Sequence, residues 1–72
     1  MTADEKEISA LFTYHPPTAD QPPRYQAIRD AAKAMGMVIV QNCPKGPDRS
    51  AAIRKLRESV MTANAAIALE GS

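Results

Sequence analysis

Residues 48–68 read DRSAAIRKLRESVMTANAAIA, and their reading decides the fold. Ile53, Leu56, Val60, Ala63 and Ile67 recur at steps of three and four, which is one narrow apolar stripe on a helix. The first half of the stretch is basic, with Arg49, Arg54, Lys55 and Arg57. The second half is small and nearly uncharged, and it carries Asn64 four residues after Val60. A small helix face lets another helix approach closely, while a basic end suits an anion. The stretch therefore predicts a packing helix that requires a second helix beside it.

That second helix lies upstream of a decisive break, NCPKGP at 42–47. Asp48, directly after the break, is the expected cap of the later helix. Before the break, Tyr25, Ile28, Ala32, Met35 and Ile39 recur at three, four, three, four. Pro22 and Pro23 fit a first helical turn, where missing amide hydrogens cost little, and Thr18 or Asp20 is the cap. Gly36 weakens this helix locally, and Val38, Ile39 and Val40 would suit a strand. A lone strand has no partner here, so helix is retained.

Two helices over 21–42 and 48–69, joined by a loop at 43–47, make an antiparallel hairpin. Upstream, Thr2 and Glu5 have capping-box spacing, so 1–11 is a short helix with Ile8, Leu11 and Phe12 inward, or an extended arm. An aromatic and proline-rich loop fills 12–20. The expected fold class is all-α: one domain over 1–72, the N-terminal segment folded across one end of the hairpin, assembled as a helical oligomer.

Bulk properties point the same way. The chain has 72 residues, no Trp and three aromatic side chains, Phe12, Tyr14 and Tyr25. A domain this small buries roughly 60% of its unfolded surface and is marginal as a monomer. Its one cysteine, Cys43, cannot form an internal disulfide, which leaves self-association as the source of stability. No long apolar run predicts a membrane span, and the polar N-terminus does not read as a signal peptide, so a cytosolic chain with reduced Cys43 is expected.

The formal net charge of +1 hides a segregation. Residues 1–20 sum to −3, residues 21–57 to +6 and residues 58–72 to −2. A basic middle points to an anionic ligand such as a phosphate, or else to solvated helix faces. No catalytic set, metal cluster or cofactor loop can be assembled, so a binding protein rather than an enzyme is expected. His15 and Cys43 are single copies in separate loops, and the thiol reads as inert.

The binding candidates lie in an aromatic arm and on the basic helices. Phe12, Tyr14 and His15 form the arm, stiffened by Pro16 and Pro17. Aromatic faces beside cations suit nucleobases. Phe12 also reads as a plug for the hairpin end. Arg29 and Lys33, four apart, share a helix face. The alternative for Arg29 is an ion pair with Asp30 or with the acidic arm of a neighbouring chain. Arg49 lies in a first helical turn, where free amides favour an anion, and Lys55 adds charge one and a half turns on. Asn64 is read first as a satisfied core or interface amide that fixes register, and also as a ligand contact.

Several short motifs in order resemble a known family of small phage proteins: FTYHPP at 12–17, RYQAIRDAAK at 24–33, NCP at 42–44, DRSAAIRKL at 48–56 and VMTANAAIA at 60–68. This is similar to the anti-CBASS and anti-Thoeris sponge family. The resemblance covers residues 12–68, although relatives often carry Trp where this chain has Thr62. It implies a helical oligomer, commonly a hexamer, in the cytoplasm of the infected host. Such proteins sequester cyclic dinucleotides, cyclic trinucleotides or glycocyclic ADP-ribose without cleaving them. By that resemblance Tyr14 matches a base-stacking tyrosine, Arg29 a basic residue that meets phosphates, and Arg49 an arginine of a trinucleotide pocket. The alternative reading is a small basic helical nucleic-acid-binding phage regulator, although the acidic arm would repel DNA. A purely structural assembly module is a third reading.

Overall fold

The computed structural model describes residues 2–70. Three helices follow one another, α1 over Ala3–Phe12, α2 over Gln21–Asn42 and α3 over Pro47–Ala68. Among the described residues there is no strand. Val38, Ile39 and Val40 continue α2, because packing against α3 overrides their strand preference.

α1 starts where the capping box places it. Thr2 Oγ1 accepts from the Glu5 N–H at 3.2 Å, and Glu5 Oε1 accepts from the Thr2 N–H at 3.1 Å. These reciprocal bonds satisfy two amides that the first turn leaves unpaired. They also hold the Glu5 carboxyl below its ordinary value of 4.5, the Thr2 backbone amide being the main cause. Of the expected packing of this segment across one end of the hairpin, only a cleft shared with Leu69 is found. α1 packs against neither long helix, and Ile8 and Leu11 stay exposed. Leu69, just past α3, shares a shallow cleft with Ala3, Lys6 and Leu11.

α2 and α3 pack against each other as the hairpin. α2 ends at Asn42, whose Nδ2 donates to Val38 O at 2.8 Å, and the Cys43 N–H donates to Ile39 O at 2.9 Å. Pro44 disfavours helical backbone at Cys43, which is extended. The cap of α3 is Gly46 and not Asp48. Pro47 takes the first helical position with its fixed φ, and Gly46 O already accepts from the Ser50 N–H at 3.1 Å. Asp48 thus falls inside the first turn, where its charge faces the positive end of the helix dipole.

The inward line of α2 runs through Tyr25, Ile28, Ala32, Gly36 and Ile39, with Ile39 only 9% exposed. Met35, expected inward, is 52% exposed. Positions 35 and 36 flank the contact line, and Leu56 fills the side left bare by the glycine. A Cβ on Gly36 would lie 3.7 Å from Leu56 Cδ2. On α3 the half-buried line is Leu56, Val60, Ala63 and Ile67, while Ile53 is exposed at its edge.

The molecule measures 50 × 28 × 15 Å, so one dimension is barely thicker than a helix with its side chains. Its accessible area is 5766 Å², whereas a compact monomer of this mass exposes about 4,400 Å². Only Ile39 is buried among the described apolar side chains.

Candidate functional site

The segment between α1 and α2 presents the aromatic arm. Thr13 Oγ1 donates to Ser9 O in the last turn of α1, and His15 Nε2 lies 2.6 Å from Ala10 O, where its N–H donates. Pro16 and Pro17 fix the backbone that follows. Tyr14 stands between these points, 80% exposed and without a hydrogen-bond partner among the described residues. Phe12 is 82% exposed, so its expected role as a plug for the hairpin end is not fulfilled in this chain. The reason is that α1 packs on neither long helix and turns Ala3, Lys6 and Leu11, not Phe12, toward Leu69.

On α2, Arg29 and Lys33 project to solvent one turn apart. Arg29 Nη1 donates to Gln26 Oε1 at 2.9 Å, and Gln26 Nε2 donates to Asp30 Oδ1 at 2.7 Å. The anticipated pair between Arg29 and Asp30 does not form, because Gln26 intervenes. Lys55 is exposed on α3 and also lacks a carboxylate partner. Among the described residues only Arg24 makes ion pairs, to Asp20 at 3.2 Å and to Glu70 at 3.1 Å. Arg24 therefore belongs to the hairpin's own bonding and is the one member of the basic island already neutralised.

Arg49 is half-buried at the other end of the hairpin, and its Nη1 reaches Cys43 O at 3.5 Å. With Lys45 and Cys43 it lines a cleft of ≈ 410 Å³ formed by the α2–α3 loop. Tyr14 precedes the first turn of α2 and Arg49 follows its last. The 22-residue helix between them is ~33 Å long, so one chain does not bring the two residues together. His15 and Cys43 are separated in the same way, and no bond links them.

Asn64 lies inward on α3, as expected of an interior amide, but it is not satisfied. Its Oδ1 is buried without a hydrogen-bond partner. An unpaired buried acceptor costs ~1–3 kcal/mol, so it weakens the hairpin that surrounds it.

The residue that the sequence reading passed over is Gln21. Only 3% exposed, its side chain bonds both to the linker and to the end of α3. Its partners at Ile67 and Glu70 lie 46 and 49 residues away, a separation that no local motif reveals. The local signals that could have found it are its capping-box spacing to Thr18 and its place directly before Pro22 and Pro23.

Chemically, the arrangement offers cations, two exposed aromatic rings and helix amides, all suited to hold an anion that carries bases. Among the described residues no group of His, Cys, Asp and Glu could hold a metal ion, and no helix is long and apolar enough to cross a membrane. No curated protein and no solved structure matches the chain. A family model does match, described as Acb2/Tad1, hairpin domain, and the match extends over residues 4–68, from α1 to the end of α3. With its three helices, its paired α2 and α3 and nearly its whole length matched, the chain belongs to the Acb2/Tad1 hairpin-domain family, the anti-CBASS and anti-Thoeris sponges.

Proposed function

We propose that this chain is a phage immune-evasion protein that binds cyclic nucleotide second messengers in the host cytoplasm and withholds them, uncleaved, from CBASS or Thoeris effectors. The observation that carries the reading is the pairing of a free ring with free cations. Tyr14 is exposed on a stiff arm, while Arg29, Lys33, Arg49 and Lys55 have no carboxylate partner. Tyr14 stacks on a base and Arg29 meets phosphate, with Lys33 beside it. Phe12 and His15 frame the ring from the arm. Arg49 and Lys55, with Asn64 as a polar contact, serve ligand from α3. Sequestration calls for no chemistry beyond tight binding, since removing free messenger by mass action is enough.

The working form is a homo-oligomer, a hexamer on the family pattern. What supports self-association is the excess of about 1,400 Å² of exposed area over a compact monomer, more than the ~800 Å² per partner of a standard interface. An apolar groove lined by Ala31, Met35, Leu56 and Ser59 runs along the hairpin and is available for such a contact. Association also offers a way to combine the arm of one chain with the distant loop of another.

The test is to titrate the protein with cyclic GMP-AMP and with a short DNA duplex, each at low and at high salt. A messenger with two or three phosphates should bind with a shallow salt dependence. Binding of the duplex alone, lost steeply with salt through counterion release, contradicts the proposal and favours a nucleic-acid regulator.

A further inference from the structure

We propose that Gln21 is the positioning residue of the Tyr14 arm: its side-chain amide clamps the linker to the end of α3 and so orients the aromatic ring toward ligand. The inference rests on the reading of Tyr14 as a base-stacking residue.

α1 packs on neither long helix and shares only a shallow cleft with Leu69, so α1 itself does little to set where the N-terminal third points. Its orientation relative to Arg29 passes through residues 13–20 and depends on where they are fastened. At the α1 end they are held by Thr13 on Ser9 O and by His15 on Ala10 O. At the hairpin end the fastening is Gln21. Its Oε1 accepts from the Thr18 N–H at 3.0 Å, and its own N–H donates to Thr18 O at 3.1 Å. Its Nε2 donates to Ile67 O at 3.0 Å and to Glu70 Oε1 at 2.9 Å. One buried amide thus spends its acceptor on the linker and its donors on α3. Holding the two helix ends together requires only the donors; the acceptor's target is the linker.

Neighbouring groups reinforce the same point. Thr18 Oγ1 donates to Asp20 Oδ1 at 2.6 Å, and Arg24 bridges Asp20 and Glu70. Between Thr18 and His15 lie two prolines, which transmit a fixed end to a fixed ring with little slack. The backbone around Tyr14 is therefore pinned on both sides while its ring has no partner of its own. That is preorganisation: the arm is ordered before ligand arrives, and binding does not have to order it.

The experiment compares the full chain with two variants. Gln21→Met keeps the length and removes the amide, and Tyr14→Ala removes the ring. Backbone amide relaxation reads mobility, circular dichroism reads the hairpin, and calorimetry with cyclic GMP-AMP reads affinity. Gln21→Met should loosen Tyr14, His15 and Thr18 together with the start of α2 and the end of α3 that Gln21 joins, while the middle of both helices stays rigid, and should weaken binding about tenfold, the cost of ordering a few residues on binding. Unchanged arm mobility in Gln21→Met overturns the inference, as does equal loosening of the middle of the hairpin helices. If Tyr14→Ala loses binding and Gln21→Met does not, the positioning role fails alone. If Tyr14→Ala binds normally, the stacking role fails and the inference falls with it.

Discussion

The N-terminal third and the hairpin of this chain solve their stability in opposite ways. The hydrogen bonds of α1's ends are all local, Thr2 with Glu5 at its start and Thr13 and His15 at its end, each spanning five residues or fewer. The hairpin is held by distant contacts, Leu56 against Gly36 and Gln21 against Ile67 and Glu70. Local bonds fix a shape without fixing its place, so the arm can present Tyr14 only as well as its fastening allows. Long-range packing fixes both, so the hairpin can carry Arg29 and Arg49 on rigid elements. Ligand affinity should therefore depend on both regions, and thermal stability on the hairpin alone.

The largest effect expected is on binding. Arg29→Ala should cost ~2–5 kcal/mol of messenger affinity by calorimetry, because it leaves a phosphate without its cation, and helical content should not change. Tyr14→Ala should cost ~1–3 kcal/mol, the worth of one stacked base, again with unchanged thermal unfolding. Loss of structure in either variant would transfer the residue from the site to the scaffold.

The hairpin answers to different substitutions. Ile39→Ala empties the one buried apolar position and should lower stability by ~2 kcal/mol in denaturant unfolding, the low end for core truncations in so thin a molecule. Gly36→Ala should act the other way. The added Cβ meets Leu56 at an ordinary 3.7 Å, and replacing glycine inside a helix should raise stability by ~0.5–1 kcal/mol. A destabilised Gly36→Ala protein would mean that the helices sit closer than 3.7 Å allows.

The smallest effect belongs to the arm and appears with acid. Glu5 is held below its ordinary carboxyl value of 4.5 by the Thr2 backbone amide, and Asp20 below 3.8 by the Thr18 hydroxyl. Each contribution is complete above those ordinary values and is lost as pH falls through the lower folded values. Acid titration should therefore fray α1 while α2 and α3 keep their circular dichroism. Thr2→Ala, which lacks the hydroxyl of the box, should show α1 frayed at neutral pH already.

The same division explains what could be read from the residues. Thr2 with Glu5, the proline breaks and the i,i+4 placement of Arg29 and Lys33 are local, and each follows from spacing. Gly36 rather than Met35 facing Leu56 depends on how two helices settle against each other, and a one-helix pattern does not contain that. Asp48 was outcompeted as cap by Pro47, whose fixed φ begins the helix one residue earlier. Phe12 reads as a plug because an apolar residue beside a helix end tends to seek the nearest core. α1 instead leaves it exposed. Gln21 has capping-box spacing to Thr18, as Glu5 has to Thr2, but its partners at the far end of α3 lie beyond any local pattern.

The most direct measurement is calorimetric titration of the purified protein with cyclic di-GMP, cyclic GMP-AMP, cyclic tri-AMP and glycocyclic ADP-ribose, followed by denaturation and chromatography of what was bound. Tight, saturable binding of one of these, with the ligand returned chemically intact, is the predicted result. A cleaved product would make the chain an enzyme, and no heat with any of the four would contradict the sponge reading outright.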